Sequence, residues 1–286
     1  MTTMLSDGSV DDEIRARATA LAERVRDEPG SLFVLTGAGV SLASGIPTFR
    51  GTDPDAVWAH HVTEMGTFAY FERDPVGSWR WYLRRFRTLD GKSPNPAHVA
   101  LAALERWQLG RGRELCLVSQ NIDTLHEQAG SRNLIKVHGS ADRVRCSRDG
   151  CRLGAPDGTL PRSQLDLQAF DDVFSLVTLP RCPACSSIMR QHVLWFDEHY
   201  GSHAGYQFGR VLDELDRAGV ILCIGTSFAV GVTDVVVRTA ERRGVPIFVI
   251  DPRAPLDPRA QRIHISSPAE AVLPFVCEQL GVPDQT

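Results

Sequence analysis

The chain has 286 residues, 43% of them hydrophobic and 23% charged, with a formal net charge of −4. That is enough apolar material for one large domain or two modest ones, with no basic footprint for nucleic acid and no apolar run of membrane-spanning length. The polar, acidic start from Met1 to Asp12 lacks the positive end and apolar core of a secretory signal, so the expected compartment is the cytoplasm.

Along the chain, residues 11–28 show helical spacing and end near Pro29-Gly30. A short apolar run, 32–36, reads as a buried parallel strand and enters a glycine turn. Residues 55–90 read as a small helical insertion, and Pro94-Asn95-Pro96 marks the return to the main fold. A helix over 97–109 precedes a strand from Glu114 to Ser119, and Leu134 to Val137 is a further short strand with His138 at its end. Residues 140–190 form a cysteine-bearing insertion rich in Pro, Gly and Asp. A strand Val220–Ile224, a helix after Thr233, a strand Pro246–Ile250 and a closing helix over 268–280 complete the chain. Strands alternating with helices predict an α/β fold with a parallel sheet.

In such a sheet, ligands bind beyond the carboxyl ends of the strands. Ser119, His138, Gly225 and Asp251 all fall at or just past strand ends. So does the turn Gly37-Ala38-Gly39-Val40-Ser41, whose small residues allow a sharp bend and close approach to a ligand. Ser41 and Ser44 are placed to cap a helix or meet a phosphate. Strand, glycine turn and anion site thus come in the order a dinucleotide needs. However, Leu42 stands where the usual fingerprint has a glycine, and no acidic strand end follows about 20 residues later, so a hydride-transferring dehydrogenase is not indicated. A ligand-free βα turn is the plain alternative.

Seven cysteines are present, four of them in the pairs Cys146/Cys151 and Cys182/Cys185. Without a secretion signal such pairs suggest metal ligands before disulfides, and four thiolates suit a closed, structural zinc site. A metal-free loop is the alternative. Cys116, Cys223 and Cys277 lie in apolar runs and read as buried thiols.

Three longer stretches carry a resemblance. They are Gly37-Ala38-Gly39-Val40-Ser41-x-x-Ser44-Gly45-Ile46-Pro47-x-Phe49-Arg50-Gly51, Gln120-Asn121-Ile122-Asp123-x-Leu125-His126-x-x-Ala129-Gly130, and His138-Gly139-Ser140. With the cysteine pairs, Val193-Leu194-Trp195-Phe196 and Gly225-Thr226-Ser227 following in order, the chain resembles the sirtuins from about residue 30 to 280. The resemblance implies a sirtuin fold: a Rossmann-like NAD-binding domain (1–51, 94–139 and 191–286) and a small domain made of a helical insertion (52–93) and a zinc-binding module (140–190).

The resemblance also implies an NAD-dependent protein lysine deacylase, with NAD as co-substrate and zinc structural. By it, His138 deprotonates a hydroxyl of the nicotinamide ribose, and water completes release of O-acyl-ADP-ribose. Gln120 and Asn121 are assigned to the ribose, and Asp123 with Ile122 to the nicotinamide carboxamide; an Asx-type cap on the next helix is the alternative for that loop. Gly37, Ala38, Gly39, Ser41 and Thr48 belong to the NAD site, Phe49 shields the reactive ribose carbon and Arg50 meets the phosphates. Gly225, Thr226 and Ser227 form the second NAD loop. Asp251 accepts from ribose hydroxyls and disfavours a 2′-phosphate, or else serves only as a turn residue before Pro252.

Tyr82 and Arg85, at i and i+3 in a helical stretch, resemble the motif of the class III branch that removes succinyl, malonyl or glutaryl groups. An Arg can bind a distal carboxylate bidentately and a Tyr hydroxyl can add a hydrogen bond. The alternative is an amphipathic helix with Trp79, Tyr82 and Phe86 inward and its arginines in solvent. Val193, Trp195 and Phe196 are expected to meet the acyl-lysine peptide by strand addition. Departures from the family pattern are Gln191 for proline and Asp197 for glycine, both bearing on the peptide channel, and Gly231-Val232 for Tyr-Pro, after which Thr233 is expected to cap the helix. Acyl-lysine proteins are the expected partners of a monomeric enzyme, with no nucleic acid and no membrane. Protein mono-ADP-ribosyl transfer and non-catalytic NAD sensing are the competing functions; retention of His138 with Asn121 favours deacylation.

Overall fold

A computed structural model describes residues 12–48, 62–229, 231–253 and 262–283. Phe49 and Arg50 lie outside the described residues. After helix α1 (Asp12–Asp27), strand β1 (Ser31–Thr36) runs into a 3-10 segment, Ala38–Ser44. Helices α2 (Val62–Met65), α3 (Phe68–Arg73) and α4 (Pro75–Arg87) form the helical insertion. Helix α5 (Pro96–Gly110), strand β2 (Leu115–Ser119), helix α6 (Leu125–Gln128) and strands β3 (Leu134–Lys136) and β4 (Gly139–Cys146) follow. The cysteine-bearing segment holds β5 (Leu160–Pro161), α7 (Gln168–Asp172) and β6 (Met189–Val193). The chain closes with α8 (Phe208–Arg217), β7 (Ala218–Ile224), α9 (Gly231–Arg243), β8 (Ile247–Ile250), β9 (Arg262–Ile265) and α10 (Ala269–Leu280).

The large sheet has the order β3-β2-β1-β7-β8-β9 and every pairing in it is parallel. The order reverses between β1 and β7, which makes the crevice above those two strands the ligand-binding position of a doubly wound sheet. Both faces are covered, so the strands are near-continuously apolar. Leu32 and Val34 enter one core with Leu117, Leu222 and helices α1, α5 and α10. Phe33 and Leu35 enter the other with Val118, Ile221, Val236 and Leu215. Cys116, Cys223 and Cys277 are buried, as expected of packing thiols.

A second, three-stranded antiparallel sheet, β5-β4-β6, carries its own core of Trp79, Phe86, Val144, Phe170, Met189 and Trp195. Strand β4 was hidden in the sequence because Arg145, which is buried, breaks the apolar alternation; its charge is met by Glu198 at 2.8 Å. Strand β9 was also missed, since only four residues follow a proline-punctuated stretch. The capping expectations need correction. The 3-10 segment begins at Gly37 with no side-chain cap, and Ser44 instead accepts from Asn95 Nδ2, the N-cap of α5. Thr233 lies inside α9, which starts two residues earlier, and is buried there.

Candidate active site

The crevice is built first from backbone. Gly39 N–H donates to the Gly225 carbonyl at 2.9 Å, and a Cβ on Gly39 would come within 2.6 Å of Gly225 Cα. Gly225 itself has φ +58°. The two loops therefore touch backbone to backbone, and the glycines serve that contact before they serve any ligand. Asn95 braces the same loop by donating to the Val40 carbonyl at 2.8 Å.

Side chains then interlock across the crevice. Asn121 Nδ2 donates to the Gly37 carbonyl and to Ser41 Oγ, each at 3.1 Å. Ser41 Oγ donates to Asp123 Oδ2 at 3.0 Å, and Asp123 Oδ1 accepts from Leu125 N–H at 3.1 Å. So the Asx cap considered for Asp123 is formed, and the carboxylate is simultaneously held by Ser41. Ser41 is wholly buried within this cluster. Gln120 Nε2 donates to Thr226 Oγ1 at 3.0 Å, joining the β2 and β7 loops. The amide hydrogens of Gln120 and Asn121 point to protein acceptors, which leaves their side-chain oxygens for a ligand. Ile122 offers its carbonyl to Ala141 N–H, Ser227 is exposed, Ala38 and Thr48 are half-buried. Asp251 Oδ1 closes a turn by accepting from Arg253 N–H at 2.7 Å.

His138 sits between β3 and β4, half-buried. Its Nδ1 lies 2.9 Å from the Gln120 carbonyl, which can only accept, so Nδ1 carries the proton. Nε2 is then unprotonated. Burial lowers the His138 pKa to about 4, against the opposing pull of that carbonyl. Gly139 behind it has φ +80°, and a Cβ there would lie 2.1 Å from the His192 carbonyl, so only glycine lets β4 start directly after the histidine.

The residues assigned to the acyl-lysine are more deeply placed. Trp195 is 1% exposed, Tyr82 3% and Arg85 6%, whereas Phe196 is 48% exposed. Tyr82 stacks on Trp195 with centroids 6.2 Å apart. Arg85 lies over the Trp81 ring, 3.3 Å from its centroid, and donates to the Trp81 carbonyl. It is not one of the solvent arginines of a simple amphipathic helix, and burial pulls its pKa down to about 10. The amides of Leu194, Trp195 and Phe196 are taken by the His138 carbonyl, Glu198 Oε2 and the Gly66 carbonyl. Gln191 is wholly buried, and Asp197 accepts from Phe68 and Ala69 N–H as a cap on α3.

Cys146, Cys151, Cys182 and Cys185 bring four sulfurs within 4.8 Å of one another. The Cys146–Cys185 and Cys151–Cys182 separations are 3.5 and 3.7 Å. A tetrahedral site with Zn–S bonds of about 2.3 Å has edges of about 3.8 Å, so the four thiols fit zinc and, being four, leave no open position. Among the described residues no helix is long and apolar enough to cross a membrane.

What sequence reasoning missed is Tyr200, whose hydroxyl lies 3.3 Å from His138 Nε2. No motif marks it; only the fold brings it there.

Residues 37–232 match the Sir2 family. An NAD-dependent protein deacylase of Thermus thermophilus is 36% identical over 253 residues, 88% of this chain and 90% of its own length. The mitochondrial NAD-dependent protein deacylase sirtuin-5 of Danio rerio is 32% identical over 265 residues, 87% of this chain and 82% of its own. A solved Sir2 homologue–NAD complex aligns with a TM-score of 0.73 at 32% identity, covering 95% of this chain and 94% of that one. With the glycine loop, the Gln120–Asp123 loop and His138 meeting at the switch point of the sheet, the chain belongs to the Sir2 family.

Proposed function

We propose that this protein is an NAD-dependent protein lysine deacylase that favours acidic acyl groups. The observation that carries the reading is the fixed, neutral His138 with Nε2 unprotonated at the edge of a crevice lined by Gln120, Asn121 and Asp123. When bound, NAD supplies an electrophilic ribose carbon and the ribose hydroxyls. His138 takes a hydroxyl proton at Nε2, while the Gln120 carbonyl holds Nδ1–H and steadies the imidazolium. Asn121 and Gln120 accept from ribose hydroxyls with their side-chain oxygens, and Asp123, held by Ser41, accepts from the carboxamide. The glycine contact between the two loops fixes them against each other at the floor of the crevice. The four cysteines hold a structural zinc, and their need to stay reduced suits the cytoplasm. The chain divides at 52, 94, 140 and 191 into the NAD-binding part and the small domain described above.

Acyl selectivity rests on Tyr82 and Arg85. The buried guanidinium keeps its charge over the Trp81 ring, and a carboxylate brought to it would form a charge-assisted pair. The test incubates the protein and Arg85→Met with NAD and matched acetyl-, succinyl-, malonyl- and glutaryl-lysine peptides, followed by mass spectrometry. An acidic acyl group leaves fastest, and Arg85→Met lowers its kcat/KM by at least about tenfold while acetyl removal stays within about twofold, as expected on loss of a charge-assisted pair. Equal rates for all acyl groups in both proteins sink the acidic-acyl reading. ADP-ribose remaining on protein instead makes the enzyme an ADP-ribosyltransferase.

A further inference from the structure

Tyr200 begins a short 3-10 turn, Tyr200–Ser202, just after Glu198. Its ring stacks on Phe208, with centroids 4.3 Å apart and planes 9° apart. It also runs nearly parallel to the His138 ring, at 5.9 Å and 18°. The hydroxyl between them accepts from Val232 N–H at 3.1 Å and lies 3.3 Å from His138 Nε2. Because Nδ1 carries the proton, Nε2 can only accept, so Tyr200 donates to it. A single directed chain results: Val232 N–H to Tyr200 oxygen, Tyr200 O–H to His138 Nε2, His138 Nδ1–H to the Gln120 carbonyl. It runs from the start of α9 to the end of β2 and passes through the base.

Two departures from the family pattern make room for it. Val232 has an N–H, which the usual proline would lack. Gly231 has no side chain, and a Cβ there would already stand 3.5 Å from the Tyr200 ring, so a bulky residue at 231 and the Tyr200 ring would compete for one space. Tyr200, Gly231 and Val232 therefore form one matched set.

We propose that Tyr200 is a positioning residue for His138: its hydroxyl holds the imidazole in the Nδ1–H tautomer and covers Nε2 until a ribose hydroxyl displaces it. This rests on the reading of His138 as the general base. With a cofactor bound, His138 Nε2 would accept from a ribose hydroxyl in place of Tyr200 and could take its proton, while Tyr200 would keep both its own proton and its bond to Val232 N–H. Burial pushes the Tyr200 pKa up, opposed by the Val232 hydrogen bond and reinforced by Asp234 in the first turn of α9, so the phenol stays protonated. On His138 itself the acting groups are its buried surroundings and the Gln120 carbonyl.

Two variants test this. Tyr200→Phe keeps the ring and its stack on Phe208 and removes the hydroxyl. Val232→Pro removes the N–H at a first-turn position where proline is tolerated. The His138 ring is followed by nitrogen-resolved NMR titration in the NAD-free protein, and kcat and KM for NAD are measured in deacylation. A donor to the neutral ring favours the neutral form, so its loss in Tyr200→Phe raises the His138 titration midpoint by about 0.5–1 pH unit. The same variant lowers kcat by about tenfold through a loosened base and lowers KM for NAD, since Nε2 no longer has to be uncovered. Val232→Pro shifts all three in the same direction by less, and the double variant is no worse than Tyr200→Phe alone, because both act through one chain. An unmoved His138 titration in Tyr200→Phe, or additive effects of the two substitutions, overturns the proposal. Absence of deacylation by the unaltered protein would overturn the functional reading alone, since the titration still decides the role of Tyr200.

Discussion

The crevice above the large sheet and the small cysteine-bearing module bury polar chemistry in opposite ways. In the crevice one carboxylate, Asp123, is buried and held by Ser41 and Leu125 N–H, and the neutral groups around it are tied to backbone: Asn121 to Gly37, Gln120 to Thr36, His138 to Gln120, Asn95 to Val40. Around the module several cations are buried, Arg85 over Trp81 and Arg190 over Trp195 at 3.3 and 3.4 Å, with Glu198 shared between Arg145 and Arg190. The sheet supplies the crevice with fixed strand ends, so positioning comes from the fold. The module has only three short strands, and its order depends on side-chain charge and on four thiols. A small core of this kind needs a staple.

That contrast breaks most sharply on the metal. Cys182→Ser leaves three thiolates and opens the coordination shell. Structural zinc contributes about 10–16 kcal/mol of apparent binding energy in small zinc modules, more than a domain's whole stability. The expected outcome is loss of bound zinc, proteolytic cleavage confined to residues 140–190, and retained protection of the β1, β2 and β7 amides in hydrogen exchange. Uniform loss of protection would mean that the sheet also depends on the module, and an unchanged protein with no zinc would dismiss the metal.

Legibility followed the same divide. The order of strand, glycine turn and helix, and the strand ends bearing Ser119 and Gly225, are read directly because a doubly covered parallel strand is an uninterrupted apolar run. The inward arrangement of Gln120, Asn121, Ser41 and Asp123 was only half visible: the residue types suggest ligand contacts, yet Ser41 proves wholly buried and Asp123 doubles as a cap. In the module, β4 was invisible because buried Arg145 imitates an exposed residue, and neutralisation by Glu198, 53 positions on, leaves no local trace. Tyr200 was unreadable for the same reason, since its partners His138 and Val232 lie 62 and 32 positions away.

Acid sharpens the comparison with a smaller effect. Burial lowers the pKa of His98 and His138 to about 4, and holds His126 well below its ordinary value. His192 and His203 beside the module are lowered too, by burial first and then by His203 for His192 and by Arg145 for His203. Each ring is neutral when folded, and unfolding frees it to bind a proton. Stability is therefore complete above about pH 6.5, the unfolded value, and falls as pH drops from there towards 4. Each such proton contributes a slope of about 1.4 kcal/mol per pH unit, and neighbouring pairs titrate together rather than additively. Urea unfolding between pH 7 and 4.5 is expected to lose at least about 2–3 kcal/mol. Below that range Glu198, held ionised by Arg190 and Arg145, adds its own loss. A flat profile down to pH 4.5 would show that these rings charge freely and are not buried as neutral groups.

The smallest effect concerns Asp197, a departure from the family pattern that sits on the border of the two regions. Its two carboxylate oxygens accept from Phe68 and Ala69 N–H at 2.7 and 3.0 Å, although the residue is exposed. It thus caps α3 from outside, beside Thr67, whose hydroxyl accepts from Tyr70 N–H. A glycine here, the usual family residue, would leave those two amides to water. Asp197→Ala removes the cap and is expected to cost about 1 kcal/mol of stability, with α3 amides exchanging faster. If Asp197 acts only as a cap, kcat/KM for acidic, neutral and basic peptides changes by one common factor. A selective gain for acidic peptides would instead place the carboxylate in the peptide path, and would move Asp197 from the scaffold to the substrate side of the border.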